Sequence, residues 1–217
     1  VKVRQVWDKS FASTMMCPPP GAGKNAKKAG ENNRQKLRWY IEVRASQFRG
    51  QGRSEDEAFD PDVLIVGQKR SVENLQALPL PPNVDLEHFG NLSGRDRWRG
   101  VRCIIVVGRR LPPPQVMERM AEVLGGCDVD PLDGWYDAGT GALRLKDVEL
   151  GHPVWVDIHP DPLADAIRAR SVEGELVQAM GRARGIRRDS STPLQIDIFV
   201  RDPLPGIEVD ELLLWEE

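Results

Sequence analysis

Two short runs, Asp62-Val-Leu-Ile-Val-Gly67 and Val101-Arg-Cys-Ile-Ile-Val-Val107, constrain this chain more than any other feature. Both are nearly all apolar, and they are short enough to read as strands rather than helices. A strand with one wet face alternates apolar and polar residues. A strand apolar throughout is buried on both faces, as happens in parallel sheets covered by crossover helices. Each run is followed by a polar turn and a helical stretch. After Gly67 come Gln68-Lys69-Arg70-Ser71, with Ser71 expected to cap a short helix through Leu78. After Val107 come Gly108-Arg109-Arg110, then Pro112 to Pro114 opening a helix from Gln115 to Leu124. Val116, Met120, Val123 and Leu124 are expected on its inner side. This alternation predicts an α/β fold built on a parallel sheet.

The remaining pieces fit around that sheet. Val1 to Trp7, Val84 to Phe89 and Pro193 to Val200 read as further strands. Leu37 to Phe48 is ambiguous, with alternation in its first half leaning toward a strand. Trp135-Tyr136, Ala142 to Leu145 and Val154 to Ile158 are short alternating runs, with Gly139 and Gly141 between the first two. They predict a β-hairpin inserted between core elements, over residues 125–160. Asp161-Pro162 is a cap and first-turn proline opening a long helix to Ala183. A single domain over residues 1–217 is expected. Residues 1–60 would form an N-terminal strand and polar loops, and 206–217 an acidic tail folded as a short helix.

Bulk properties narrow the function. Across 217 residues the net charge is -3, so no overall basic field marks nucleic acid binding, and any such contact must be local. Cys17, Cys103 and Cys127 lie far apart, which suits a reducing cytoplasm and excludes a zinc ribbon. No apolar run approaches membrane-spanning length. The chain opens on Val in what reads as mid-strand, so a fragment of a longer protein is expected.

Several motifs fall short of their chemistry. Cys17-Pro-Pro-Pro-Gly21-Ala-Gly23-Lys24-Asn25 invites a P-loop reading, but Pro18 replaces the first glycine and Asn25 the magnesium-binding hydroxyl. It is read as a surface loop continuing through Lys27, Lys28, Gly30 and Asn33. His88, His152 and His159 have no metal-ligand spacing, and no metal site is expected. Glu173 and Glu175, two apart on one helix, face different ways.

Gln178-Ala-Met-Gly181-Arg182-Ala-Arg184-Gly185-Ile-Arg187-Arg188 is different: four arginines and two glycines end the long helix. Arg168, Ser171, Glu175, Gln178 and Arg182 precede or enter it at helical steps, forming one polar stripe. Guanidinium forks beside glycine suit phosphate, whose oxygens they bind bidentately. A solvated helix face with a basic last turn reads equally well from spacing alone.

The pattern Gln178-x-x-Gly181-Arg182-x-Arg184-Gly185-x-x-Arg188 resembles the last motif of the two large helicase superfamilies, Q-x-x-G-R-x-x-R or a close variant. Val63 to Lys69 and the loop around Gly94-Arg95-Asp96 resemble motifs four and five, in the order a second helicase lobe requires. His88-Phe89-Gly90, Gly94-x-Asp96-x-Trp98, Val107-Gly108-Arg109-x-x-Pro112 and Glu175-Leu-Val-Gln178 look like the C-terminal region of primase/helicase-type proteins of phages and mobile elements. The resemblance spans Asp62 to Pro205.

It implies a RecA-like, P-loop NTPase-type lobe with a small antiparallel β insertion. Arg182 or Arg184, or Arg188 beyond the helix end, would be the finger, with Arg182 and Arg184 first. Gln178, Gly181, Arg188, Gly94 and Asp96 would face the nucleotide. Lys69, Arg95, Arg97 and Trp98 would touch nucleic acid, with Gly94 to Arg97 on the C-terminal rim of the sheet. Trp98 keeps two readings: a ring stacking a base, worth about 1–3 kcal/mol, or one packed against the sheet edge. The implied cofactors are ATP and magnesium, held mainly by an upstream RecA-like lobe. The implied partners are that lobe and single-stranded or duplex DNA. Two alternatives stay open: a non-catalytic nucleic-acid- or protein-binding module, and a phosphoryl-transfer enzyme using the arginines alone.

Overall fold

The computed structural model of the chain describes residues 1–49, 61–92, 94 and 97–215. Its centre is a six-stranded, all-parallel sheet in the order β3-β2-β4-β7-β1-β8. The strands are β1 (Lys2–Val6), β2 (Val63–Gly67), β3 (Val84–His88), β4 (Cys103–Val107), β7 (Gln195–Phe199) and β8 (Glu211–Leu213). The two apolar runs are β2 and β4, adjacent in the sheet and buried along their whole length. A separate antiparallel pair, β5 (Asp137–Leu143) and β6 (His152–Ile158), forms the expected hairpin. Gly139 and Gly141 lie inside β5 rather than before it. Gly139 pairs with Val156, and the side chain of Ile158, two residues further along β6, fills the space a Cβ would need.

The connections divide between the two faces of the sheet. Steps toward β3 pass over one face, through α2 (Lys24–Phe48), preceded by the short α1 (Ser13–Met16), and through α3 (Lys69–Gln76). Leu37, Ile41 and Leu75 pack there against Val63, Ile65, Ile105 and Phe199. Steps toward β8 pass over the other face. There Val172, Leu176 and Met180 of α5 (Pro162–Gly181) and Trp98 of the β3–β4 connection cover Leu64, Val66, Ile104 and Ile198. Helix α4 (Pro114–Gly125) packs chiefly on α5 and the loop before the hairpin.

Several expectations change. Residues 24 to 48 form one helix, not a loop and a strand. Its inner residues Gly30, Asn33, Leu37, Ile41 and Ala45 recur at helical steps. Gly30 is required by packing, since a Cβ there would meet Pro18 Cδ at 2.5 Å. The alternation from Leu37 misled because Trp39 points outward. Ser71 is not a cap: Gln68 takes that position, and Ser71 lies buried within α3. On α4 the buried residues are Met117, Glu118 and Ala121, whereas Val116, Met120, Val123 and Leu124 are exposed. A buried Glu118 anchors that inner face by accepting from the Leu132 backbone N–H at 2.7 Å and lying 3.2 Å from His159 Nε2. His159 Nδ1 accepts from the Asp161 N–H, so Nε2 carries the proton that Glu118 receives. The acidic tail holds the strand β8, paired with β1, instead of a helix. Among the described residues no helix is long and apolar enough to cross a membrane.

Candidate functional site

Helix α5 delivers the arginine cluster. Asp161 Oδ1 accepts from the Ala164 N–H at 2.8 Å, fixing the start of the helix as expected. The helix crosses back over the sheet, so its end lies at the N-terminal edge of the parallel strands. There Gly185 approaches Val1 and Leu194. Helical hydrogen bonding continues through Arg182 N to Ala179 O and Arg184 N to Gly181 O. Arg184 then adopts φ 51° and ψ 48°, a left-handed conformation that costs a non-glycine residue strain and reverses the chain. A 3-10 turn, Gly185–Arg187, follows.

The five-residue stripe does not stay together as a binding face. Arg168 is buried, with Nε 2.7 Å from Asp165 Oδ1. Glu175 lies 3.5 Å from Arg110 and titrates above its ordinary range, raised by burial and partly offset by that arginine. Only Gln178, exposed, and Arg182, half-buried, remain at the helix end beside exposed Gly181. Arg182 Nε is buried and has no hydrogen-bond partner among the described residues.

Arg188 has partners that its place in the motif does not indicate. Its Nε donates to Ala183 O at 3.1 Å, and Nη2 donates to Arg99 O at 2.6 Å and Val101 O at 2.7 Å. Burial, then the neighbouring Arg102, lowers its pKa. Three of its five N–H donors go to backbone carbonyls, so it ties the end of α5 to the β3–β4 connection.

That connection also departs from expectation. Trp98 is fully buried, and its Nε1 donates to Asp85 Oδ2 at 2.6 Å. Such a ring cannot stack a base, and the packed reading holds. Arg97 Nη2 is 2.9 Å from the same carboxylate, and its guanidinium lies 4.9 Å from the centre of the Trp98 ring. Because Asp85 is near the start of β3, Arg97 sits toward the N-terminal edge, not on the C-terminal rim. Gly94 is an exposed turn residue at φ 73°, a conformation glycine tolerates. Arg95 and Asp96 lie outside the described residues. Lys69, exposed and 4.0 Å from Glu73, follows β2 at the opposite edge. Thus Gln178, Gly181, Arg182 and Arg184 share one corner with Arg188, while Lys69 stands apart from them.

The C-terminal edge has a crevice that motif spacing did not single out. Connections from adjacent β2 and β4 leave over opposite faces, and parallel sheets hold ligands beside such a switch point. Here Ser10, Ser13, Thr14, Gln68, Arg109 and Arg201 border a cavity of about 400 Å³. Gly108, at φ 68°, has no room for a Cβ because the Phe11 carbonyl lies against it. Gln68 donates to the Arg109 carbonyl, and its buried Oε1 has no partner among the described residues. Arg109 bridges Asp157 of the hairpin and Asp202 after β7. Asp202 is raised by burial and partly restored by Arg109. The available signal was positional: Gln68 and Gly108-Arg109 are the first polar groups after the two apolar runs.

No protein-family model matches the chain, and no curated protein or solved structure matches it either. The chemistry of the α5 corner is therefore judged from its donors. Guanidinium groups suit a phosphate oxygen, whereas the backbone N–H groups of Arg182, Arg184, Arg187 and Arg188 are already given to carbonyls of the same turn. The nearby Glu175 faces Arg110, so the corner has the chemistry to hold a phosphate oxygen and offers little to a magnesium ion.

Proposed function

We propose that the chain is the second, RecA-like lobe of an ATP-dependent nucleic acid motor, acting on DNA, in which Arg182 or Arg184 is the arginine finger. The observation that carries this reading is Arg182: its Nε is buried at the end of α5, beside Gly181 and Gln178, without a partner among the described residues. An unpaired buried charge-bearing donor costs free energy, and an incoming phosphate oxygen would remove that cost. The six-stranded parallel sheet is compatible with a RecA-like lobe, and the hairpin is its small antiparallel insertion.

ATP and magnesium, held by a P-loop lobe elsewhere in the motor, would supply the phosphoryl group that is hydrolysed. Arg182 would add positive charge where negative charge spreads over the equatorial oxygens, an electrostatic contribution that needs no proton transfer. Arg184, turned by its left-handed backbone, would approach from a second direction. Gln178, one turn earlier, would register whether the nucleotide is present. Arg188 would pass that signal on, because it joins this corner to the β3–β4 connection through Arg99 and Val101. Closure on ATP and opening after hydrolysis would then move the lobe along a strand.

The test lies in the natural polypeptide that contains this lobe. Its upstream part is expected to hold G-x-x-x-x-G-K-[ST] and a DExx-type acidic strand, and to hydrolyse ATP only when joined to this lobe. An upstream part with neither motif sinks the reading.

A further inference from the structure

Helix α2 concentrates charge that the rest of the chain lacks. It carries seven Lys and Arg against Glu31 and Glu42, a net of +5 in a chain of net charge -3. Its buried face begins only at Gly30, and every residue from Lys24 to Ala29 is exposed. Those six residues extend about 9 Å at the usual helical rise. Trp39 lies on the outer face, 63% exposed. Lys28, eleven residues earlier, falls on the same line after three turns. Beside Trp39 a cavity of about 390 Å³ runs between α2 and the open edge strand β8, lined also by Lys36, Tyr40, Arg44 and Trp215. Lys36 Nζ donates to the Trp215 carbonyl at 2.8 Å and lies 5.3 Å from that ring's centre, so one wall of the groove is preset.

An exposed aromatic ring set among cations complements a polyanion that also offers flat faces. Nucleic acid has both, and only an unpaired strand exposes base faces for stacking on a side chain. We propose that the outer face of α2 is a binding track for single-stranded nucleic acid, with phosphates along Lys24, Lys28 and Lys36 and a base stacked on Trp39. The exposed apolar face of α4 lacks this complementarity, as its exposed residues are chiefly uncharged. The track binds in the absence of ATP, so it stands or falls separately from the arginine-finger reading.

The test uses the 217-residue chain and a labelled oligothymidylate of about 20 nucleotides, with affinity read by fluorescence anisotropy across a salt series. The wild type is expected to bind, and Trp39→Ala to weaken binding about 10-fold or more while Trp39→Phe restores most of it. Lys24→Gln with Lys28→Gln should make the slope of log affinity against log salt shallower by about 1.4, at about 0.7 per phosphate contact. Trp39 and both lysines are exposed, so unfolding temperatures should stay unchanged and serve as the control. Absence of binding at about 50 mM salt overturns the proposal. So does an affinity that Trp39→Ala leaves unchanged, or polyglutamate binding as tightly as the oligonucleotide, which would mark an acidic protein surface as the partner.

Discussion

Arg182 and Arg188 lie six residues apart in one basic motif, yet they have opposite relations to their surroundings. Arg188 satisfies three backbone carbonyls from two segments. Replacing it by Ala strands those acceptors and should cost about 1.5–3 kcal/mol, read as a lowered urea midpoint. Arg182→Ala removes an unpaired buried Nε and should leave stability unchanged or raise it by up to about 1 kcal/mol. If both variants lose equal stability, the division of labour between them is wrong. Trp98→Ala should cost about 3–5 kcal/mol, as for other fully buried large aromatics. The sequence could not separate these arginines because both satisfy the motif's spacing. What separates them is a contact between residues 87 and 89 positions apart. Trp98 was ambiguous for the same reason: its partner, Asp85, is thirteen residues upstream.

At the scale of elements, local pattern succeeded where burial was symmetric and failed where tertiary contacts chose the face. β2 and β4 were legible because a run buried on both faces has a simple signature. Helix α4 was legible as a helix, but its inner face was not: Met117, Glu118 and Ala121 pack inward while more hydrophobic neighbours stay exposed. A buried Glu118 bonded to Leu132 N–H leaves no hydrophobic signature. Helix α2 was hidden because its first residues resemble a Gly/Lys-rich loop and its outward Trp39 imitates strand alternation. The turn after β4 gives a sharper test. Gly108→Ala combines positive φ with overlap against the Phe11 carbonyl, and should destabilise by about 1–3 kcal/mol or more. In the α4–hairpin layer, Tyr136 donates to the Pro112 carbonyl at 2.8 Å. Burial raises its pKa from 10.0 to about 12. The folded state thus holds this proton more tightly than the unfolded state. Its contribution is complete below pH 10 and is lost as pH climbs toward 12. The urea midpoint should therefore fall over that window, and Tyr136→Phe should flatten the fall. A wild-type midpoint that stays level there contradicts the assignment.

Across the whole molecule, the sheet separates two regions by its polarity. The C-terminal edge holds the switch-point crevice with Gln68 and Arg109, and the N-terminal edge holds the end of α5 with Arg182 and Arg184. A basic helix, α2, lies on the face opposite α5 and gives an otherwise acidic chain a local positive field. The α/β class and the parallel sheet were readable from a handful of residues. The strand order was not, because insertion of β1 between β7 and β8 depends on contacts made across nearly the full length of the chain. The central proposal concerns the α5 corner, and steady-state ATP hydrolysis by the natural polypeptide tests it most directly. Compared with wild type, either Arg182→Ala or Arg184→Ala should lower kcat by about 1,000-fold or more, with KM changed little, as expected for loss of an arginine finger. Wild-type rates in both variants would contradict the account.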